Sequence, residues 1–159
     1  MTHAAPHSPP GGFQHGITTA AARQILDATL AKGRELGLAP LTVVVLDAGG
    51  QLKAALKEDG SSLLRPDIAW GKAFGAMALG FGSRELARRS QSMPGFMNAL
   101  SDLAGGRAVP VPGGVLVRAV DGAVLGAVGV SGDASDKDEV CAVAGIQAAG
   151  LTADTGDAA

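Results

Sequence analysis

Between Pro110 and Gly145 the chain reads PVPGGVLVRAVDGAVLGAVGVSGDASDKDEVCAVAG, two apolar runs that lead through a glycine-rich junction into an acidic helix start. Val115 to Val120 and Ala123 to Val130 are apolar and rich in β-branched residues. Asp121-Gly122 between them is the dipeptide preferred by a type I′ turn, with positive φ at both central residues. A β-hairpin is therefore predicted here. Gly126, Gly129 and Gly132 recur at every third position, which a strand does not need for its own stability. Such spacing implies that another backbone, a second subunit or a ligand approaches this strand closely.

The 159-residue chain suits one compact domain, with 47% hydrophobic and 18% charged residues. A net charge of -2 with scattered basic residues offers no surface to neutralise a phosphate backbone, so nucleic acid is not an expected partner. Cys141 is the single cysteine, which rules out an intrachain disulfide and gives no sign of an oxidising compartment. The N-terminal run MTHAAPHSPPGGFQHG lacks the basic and apolar regions of a signal peptide, and no apolar stretch is long enough to span a bilayer. A soluble, cytoplasmic protein is expected. Tyrosine is absent and the only aromatics are Trp70, Phe13, Phe74, Phe81 and Phe96, so the core must be aliphatic.

Residues 1–16, rich in Pro, Gly and His and without periodicity, are expected to form a disordered arm preceding a single domain over 17–151. Thr18 or Thr19 can cap a helix to Leu36, with Ala22, Ile25, Leu26, Leu30 and Gly33 at helical spacing and Gly37 as a left-handed stop. LTVVVLDAGGQLKAALKEDG reads as a second hairpin turning at Asp47-Ala48-Gly49-Gly50, with Asp47 accepting backbone N–H bonds. Arg65-Pro66-Asp67 opens another helix, IAWGKAFGAMALG, whose small residues allow close packing. A short helix over Ser83 to Arg89 is followed by loop or helical-turn material to Gly106, and a short strand is conceivable near Val109 to Val111. The last helix is predicted over Asp136 to Ala149 with Val140, Val143, Ala144 and Ala148 facing inward, and residues 152–159 as a flexible tail. Helix, hairpin, helices, hairpin, helix is the order of an α+β fold, an antiparallel sheet with helices packed on it.

Several residues could carry chemistry. Asp136, Asp138 and Glu139 cluster in the first turns of the last helix, where Glu139 could act as a general base, although acidic residues are favoured there by the helix dipole whatever the function. Lys72 stands alone in a small-residue helix, where it could hold a carboxylate or act as an acid, or simply extend its head to water. The turn Pro112-Gly113-Gly114 exposes backbone N–H groups suited to a carboxylate or carbonyl oxygen, and is equally readable as a structural turn. Lys72, this turn, the Ser131-Gly132 turn and Glu139 are expected to converge on one pocket, completed by a second subunit. The reaction this set would support is acid/base chemistry on a small organic acid or carbonyl compound.

Four motifs in order, VVVLDAGGQL, DIAWGKAFGAM, VPVPGGVLV and GAVGVSGDASDKDEVCAVAGIQA, resemble the GlcG/HbpS family of haem-degrading domains, to which the PduO C-terminal domain is related. The resemblance runs from about Thr18 to Ala149. It implies a profilin-like antiparallel sheet flanked by helices, assembly into homo-oligomers from dimers to octamers, and a small-ligand-binding function that in some members is haem binding. Other members stand in catabolic operons. Haem would need an apolar slot, an axial ligand and basic partners for its propionates. Arg65, Lys72, Arg84 and Arg107 could serve the propionates. His3, His7 and His15 all fall in the arm, which leaves Met77, Met93, Met97 and Cys141 as other ligands, each equally readable as core filling.

Overall fold

The computed structural model describes residues 16–157. Its elements are α1 (Thr19–Glu35), β1 (Thr42–Asp47), β2 (Leu52–Lys57), α2 (Arg65–Leu79), α3 (Ser83–Ser92), α4 (Pro94–Leu103), β3 (Gly114–Arg118), β4 (Val124–Ser131), α5 (Ser135–Ala148) and β5 (Thr152–Asp154). The strands form one sheet in the order β2-β1-β4-β3-β5, every neighbouring pair antiparallel. This is the expected α+β class. The chain is layered: α2 covers one face of the sheet and α1 with α5 covers the other. That arrangement explains why TVVVLD reads as continuously apolar rather than alternating, because successive side chains enter two different cores. Val43, Val45, Val115, Val117, Val128 and Val130 meet Ile25, Leu30 and Ile146, while Val44, Leu46, Leu116 and Ala127 meet Ala69, Ala73 and Ala76 of α2.

α1 follows its sequence signals: Thr18 Oγ1 accepts the Ala21 N–H, and Gly37 ends the helix at φ 65°. Asp47 Oδ1 accepts the N–H groups of Gly49 and Gln51, as expected of its turn.

The periodic glycines meet other parts of this same chain. Gly114 of β3 lies opposite Gly129 of β4 in the ladder, so the two open a shallow notch across adjacent strands. α2 seats its backbone there, the carbonyl of Ala69 over Gly129 and that of Lys72 over Gly114, each where a Cβ would collide. Gly126 receives the Leu46 carbonyl and Gly132 the backbone of Pro40 and Leu41.

Several local expectations are corrected. The β3–β4 loop is not type I′, because only Gly122 has positive φ (86°). Gly122 N–H bonds the Ala119 carbonyl at 2.9 Å and Asp121 Oδ1 accepts the Ala123 N–H. A three-residue loop with one left-handed glycine satisfies these bonds and matches the register shift after Val117. The segment after Arg89, expected as loop or helical-turn material, is regular helix almost throughout, with Pro94 in the first turn of α4. No strand forms at Val109–Val111; that segment is tied to α2 by the Val109 N–H on the Gly71 carbonyl. The supposed flexible tail contains β5, whose Asp154 pairs with Arg118 at 2.8 Å, so ordered structure extends past residue 151. α5 is rotated from its expected face: Asp138, Glu139, Cys141, Ala142, Gly145 and Ile146 point inward, and Val140 is exposed. The arm expected over 1–16 lies outside the described residues except for Gly16, which stands against Ala48 and Leu125.

Gly129→Ala should lower stability by about 1–3 kcal/mol or more, since its methyl group would meet rigid helix backbone. Gly95→Ala in α4, where a Cβ meets nothing within 4 Å, should cause no loss. Urea midpoints of the two variants check the contrast.

Candidate functional site

The glycine notch brings α2 so close to the sheet that the side chain of Lys72 reaches past the strand ends to the opposite helical layer. Its ammonium donates to Asp138 Oδ2 at 2.9 Å and to the Val130 carbonyl at 2.9 Å. Both charged side chains are almost wholly removed from solvent, at 2% and 0% exposure. Asp138 Oδ1 in turn accepts the N–H of Asp133, two residues ahead of α5. Gly113, at φ 111°, leaves the corridor open; a Cβ there would stand 3.0 Å from Lys72 Nζ. Gly114 donates its N–H to Ser83 Oγ. Burial lowers the lysine pKa from its ordinary value, and the Asp138 carboxylate opposes that shift.

One position further along α5, Glu139 is held by α3. Arg84 donates Nε and Nη2 to Glu139 Oε1 at 2.8 and 2.7 Å, and Nη2 also to Asp136 Oδ1. Glu139 Oε2 is buried without a hydrogen-bond partner. Burial raises the Glu139 pKa despite the guanidinium beside it. Arg65 donates to Ser131 Oγ at 3.2 Å.

Lys72, Gly113, Gly114 and the strand end at Val130–Ser131 are thus assembled, with Glu139 on the adjoining turn. The carboxylate that Lys72 holds belongs to its own chain, and the room left by Gly113 and Gly114 is taken by Lys72. Pro112 precedes this turn, while Gly132 packs against Pro40 and Leu41.

Arg107 belongs to a different place. Its guanidinium lies 4.5 Å from the centre of the Phe74 ring, and its Nε donates to the Ala104 carbonyl at 2.8 Å. Among the described residues no carboxylate forms a salt bridge with it. Trp70, Phe74 and Met77 form the outer side of α2, half-buried against the sheet, because Ala69, Ala73 and Ala76 occupy the inner side. A cleft of about 280 Å³ runs between Trp70, Phe74, Met77, Arg107 and the Ala48–Gln51 turn. A second of about 270 Å³ lies on the other side of Trp70 and Arg107, reaching Leu64, Ile68 and Val109. Sequence reading singled out Arg107 and Met77 but not Trp70 or Phe74. The missed signal was their i, i+4 spacing on a helix whose small residues already occupy the buried side.

The other soft donors are placed elsewhere. Cys141 is buried between α5 and α1 beside Gly33, and burial pushes its thiol up to about 11. Met97 is buried beneath α4, and Met93 is exposed at the α3–α4 junction. His3, His7 and His15 lie outside the described residues. No group of three metal-binding side chains occurs among the described residues, nor does any helix there have the length and apolarity to cross a membrane.

The family model described as haem degrading protein, HbpS-like, matches residues 17–147. A 15.0 kDa protein encoded between dhaT and dhaS in Citrobacter freundii is 32% identical over 126 residues, 79% of this chain and 87% of that protein. A double mutant of Streptomyces reticuli HbpS superimposes with a TM-score of 0.74 at 30% identity, covering 92% of this chain and 97% of the other. The haem complex of PduOC gives 0.77 at 24% identity, covering 86% and 96%, a likeness of fold.

Lys72→Met should cost about 3–5 kcal/mol by stranding Asp138 in the core. Lys72→Met combined with Asp138→Leu should recover much of that loss, as denaturant melts of a double-mutant cycle would measure. Because the folded-state pKa of Glu139 is raised, its contribution is favourable below the usual carboxylate range and is lost as pH rises through the folded value. Relative to wild type, Glu139→Gln should therefore gain stability as pH increases from 4 to about 8, which melting temperatures across that range would show.

Proposed function

The chain belongs to the HbpS-like family, and on that premise we propose that it is a small-ligand-binding protein whose ligand is haem, bound in the clefts around Trp70 and Arg107. The observation that carries this reading is the combination of aromatic faces, a thioether and a guanidinium without a carboxylate partner at one surface of α2. Each requirement of haem has a residue there. Trp70 and Phe74 supply flat apolar surface for the macrocycle, Arg107 a planar donor for a propionate, and Met77 a soft donor at the cleft wall. Each cleft alone is small for a cofactor of that size, whereas the two together fall within the range of ligand pockets. Haem, when bound, supplies the redox chemistry of its iron; the residues named here bind and orient it.

The HbpS and PduOC relatives support this ligand, the latter having been crystallised with haem. Assembly into a homo-oligomer and a cytoplasmic location are part of the same proposal. The acid/base alternative has less support from the geometry, because Lys72 is committed to Asp138 and Val130. Arg65, the Pro112–Gly114 turn and Ser131 then serve the support of α2 rather than the ligand.

Haemin titration of the full chain, followed in the Soret region, tests the reading. Saturable binding is expected in wild type and in a variant with His3, His7 and His15 replaced by Ala. Trp70→Ala together with Phe74→Ala should weaken it by roughly tenfold or more, given about 0.5–1.5 kcal/mol for each aromatic contact beyond its burial. Binding that vanishes with the histidines and ignores the aromatic pair would contradict the proposal.

A further inference from the structure

Two clefts on one face of α2 share only two wall residues, Trp70 and Arg107. Trp70 is anchored, half-buried on the helix beside fully buried Ala69 and Gly71. Arg107 is an exposed side chain on a connecting segment. It follows Gly105 and Gly106, both in the left-handed region at φ 64° and 73°, and a Cβ at either would meet nothing within 4 Å. Its main chain is fixed on the far side, where its carbonyl and Val109 lie against Gly71. The anchored backbone and free side chain leave rotation of the guanidinium as the low-cost motion at this wall. What holds the guanidinium across the wall is weak: a cation–π contact with Phe74 and one hydrogen bond to the Ala104 carbonyl. An exposed cation–π contact contributes about 0.5–1 kcal/mol.

We propose that Arg107 is a gate and specificity residue: its guanidinium rests on Phe74 at the wall the two clefts share, and swings to pair with the carboxylate of an incoming planar ligand. This deepens the haem reading and rests on it. The exchange is directional for chemical reasons. A charge-assisted bidentate pair with a carboxylate is worth more than the exposed cation–π contact it replaces, and a ligand without a carboxylate offers no such replacement. Moving the guanidinium also opens the Arg107 side of the wall between the two clefts, with Trp70 staying in place, and uncovers the Phe74 ring for a macrocycle. The site would therefore select planar apolar molecules bearing an acid, and resist equally flat molecules that lack one.

Trp70 is the only tryptophan in the chain, so its fluorescence reports on this wall directly. Two metal-free probes of the same macrocycle, mesoporphyrin IX and its dimethyl ester, separate the acid from iron ligation. Wild type should bind the diacid roughly tenfold more tightly than the diester, as expected for one charged hydrogen-bonded contact. Arg107→Ala should abolish that preference, with acrylamide quenching of Trp70 in the ligand-free protein increased. Arg107→Lys should restore part of the preference without restoring the protection from quencher. An undiminished preference for the diacid in Arg107→Ala, or unchanged acrylamide quenching, would overturn the gate while leaving porphyrin binding standing. Failure of both probes and of haemin to quench Trp70 in wild type would instead remove the porphyrin reading, and the gate with it.

Discussion

The buried pair between Lys72 and Asp138 sets the position of the elements around it. It joins α2, on one face of the sheet, to α5, on the other, through a passage at the ends of β3 and β4. Two ions taken out of water gain little net stability as a pair, but either one alone would be costly. The pair therefore acts as a constraint. α2 must lie where Lys72 can reach Asp138, and that position requires Gly114 and Gly129 beneath its backbone and Gly113 beside its ammonium.

From that seating the ligand surface follows. With Ala69, Ala73 and Ala76 pressed to the sheet, Trp70, Phe74 and Met77 are left along the outer side of α2, beside the Ala48–Gln51 turn and the segment carrying Arg107. The Val109 N–H on the Gly71 carbonyl fixes that segment one residue from Lys72. The charged centre and the aromatic cleft thus divide the work of α2: one side locates the helix, the other presents it.

Sequence patterns revealed the layers where side-chain chemistry carried the signal. The apolar run of β1, the Thr18 cap, the Asp47 turn and the glycine spacing of β4 all correspond to contacts in the fold. The glycines implied close neighbours but could not identify them, because only the fold shows that Gly129 meets the backbone of α2, Gly126 that of β1 and Gly132 that of Pro40 and Leu41. α5 was misread where burial is polar, since a periodicity of apolar residues cannot count Asp138 and Glu139 as inward-facing. β5 escaped notice because an edge strand is held mainly by its main-chain ladder, which leaves little trace in a sequence such as TADTG. Lys72 reads in the sequence as a carboxylate holder, an acid or a solvated cation, and Asp138 as part of a general-base cluster or as a helix-dipole residue, so only the fold pairs the two. The aromatic cleft stayed hidden because Trp70 and Phe74 become a pair only once the alanine side of α2 is known to face the sheet.

A crystal structure of the full chain grown with haemin, with anomalous differences collected at the iron edge, tests the central claim most directly. The account predicts one iron peak per chain in the clefts between Trp70, Phe74 and Met77, with the Arg107 guanidinium moved from the Phe74 ring onto a propionate. An iron peak away from α2, or haem bound with Arg107 still stacked on Phe74, would contradict it.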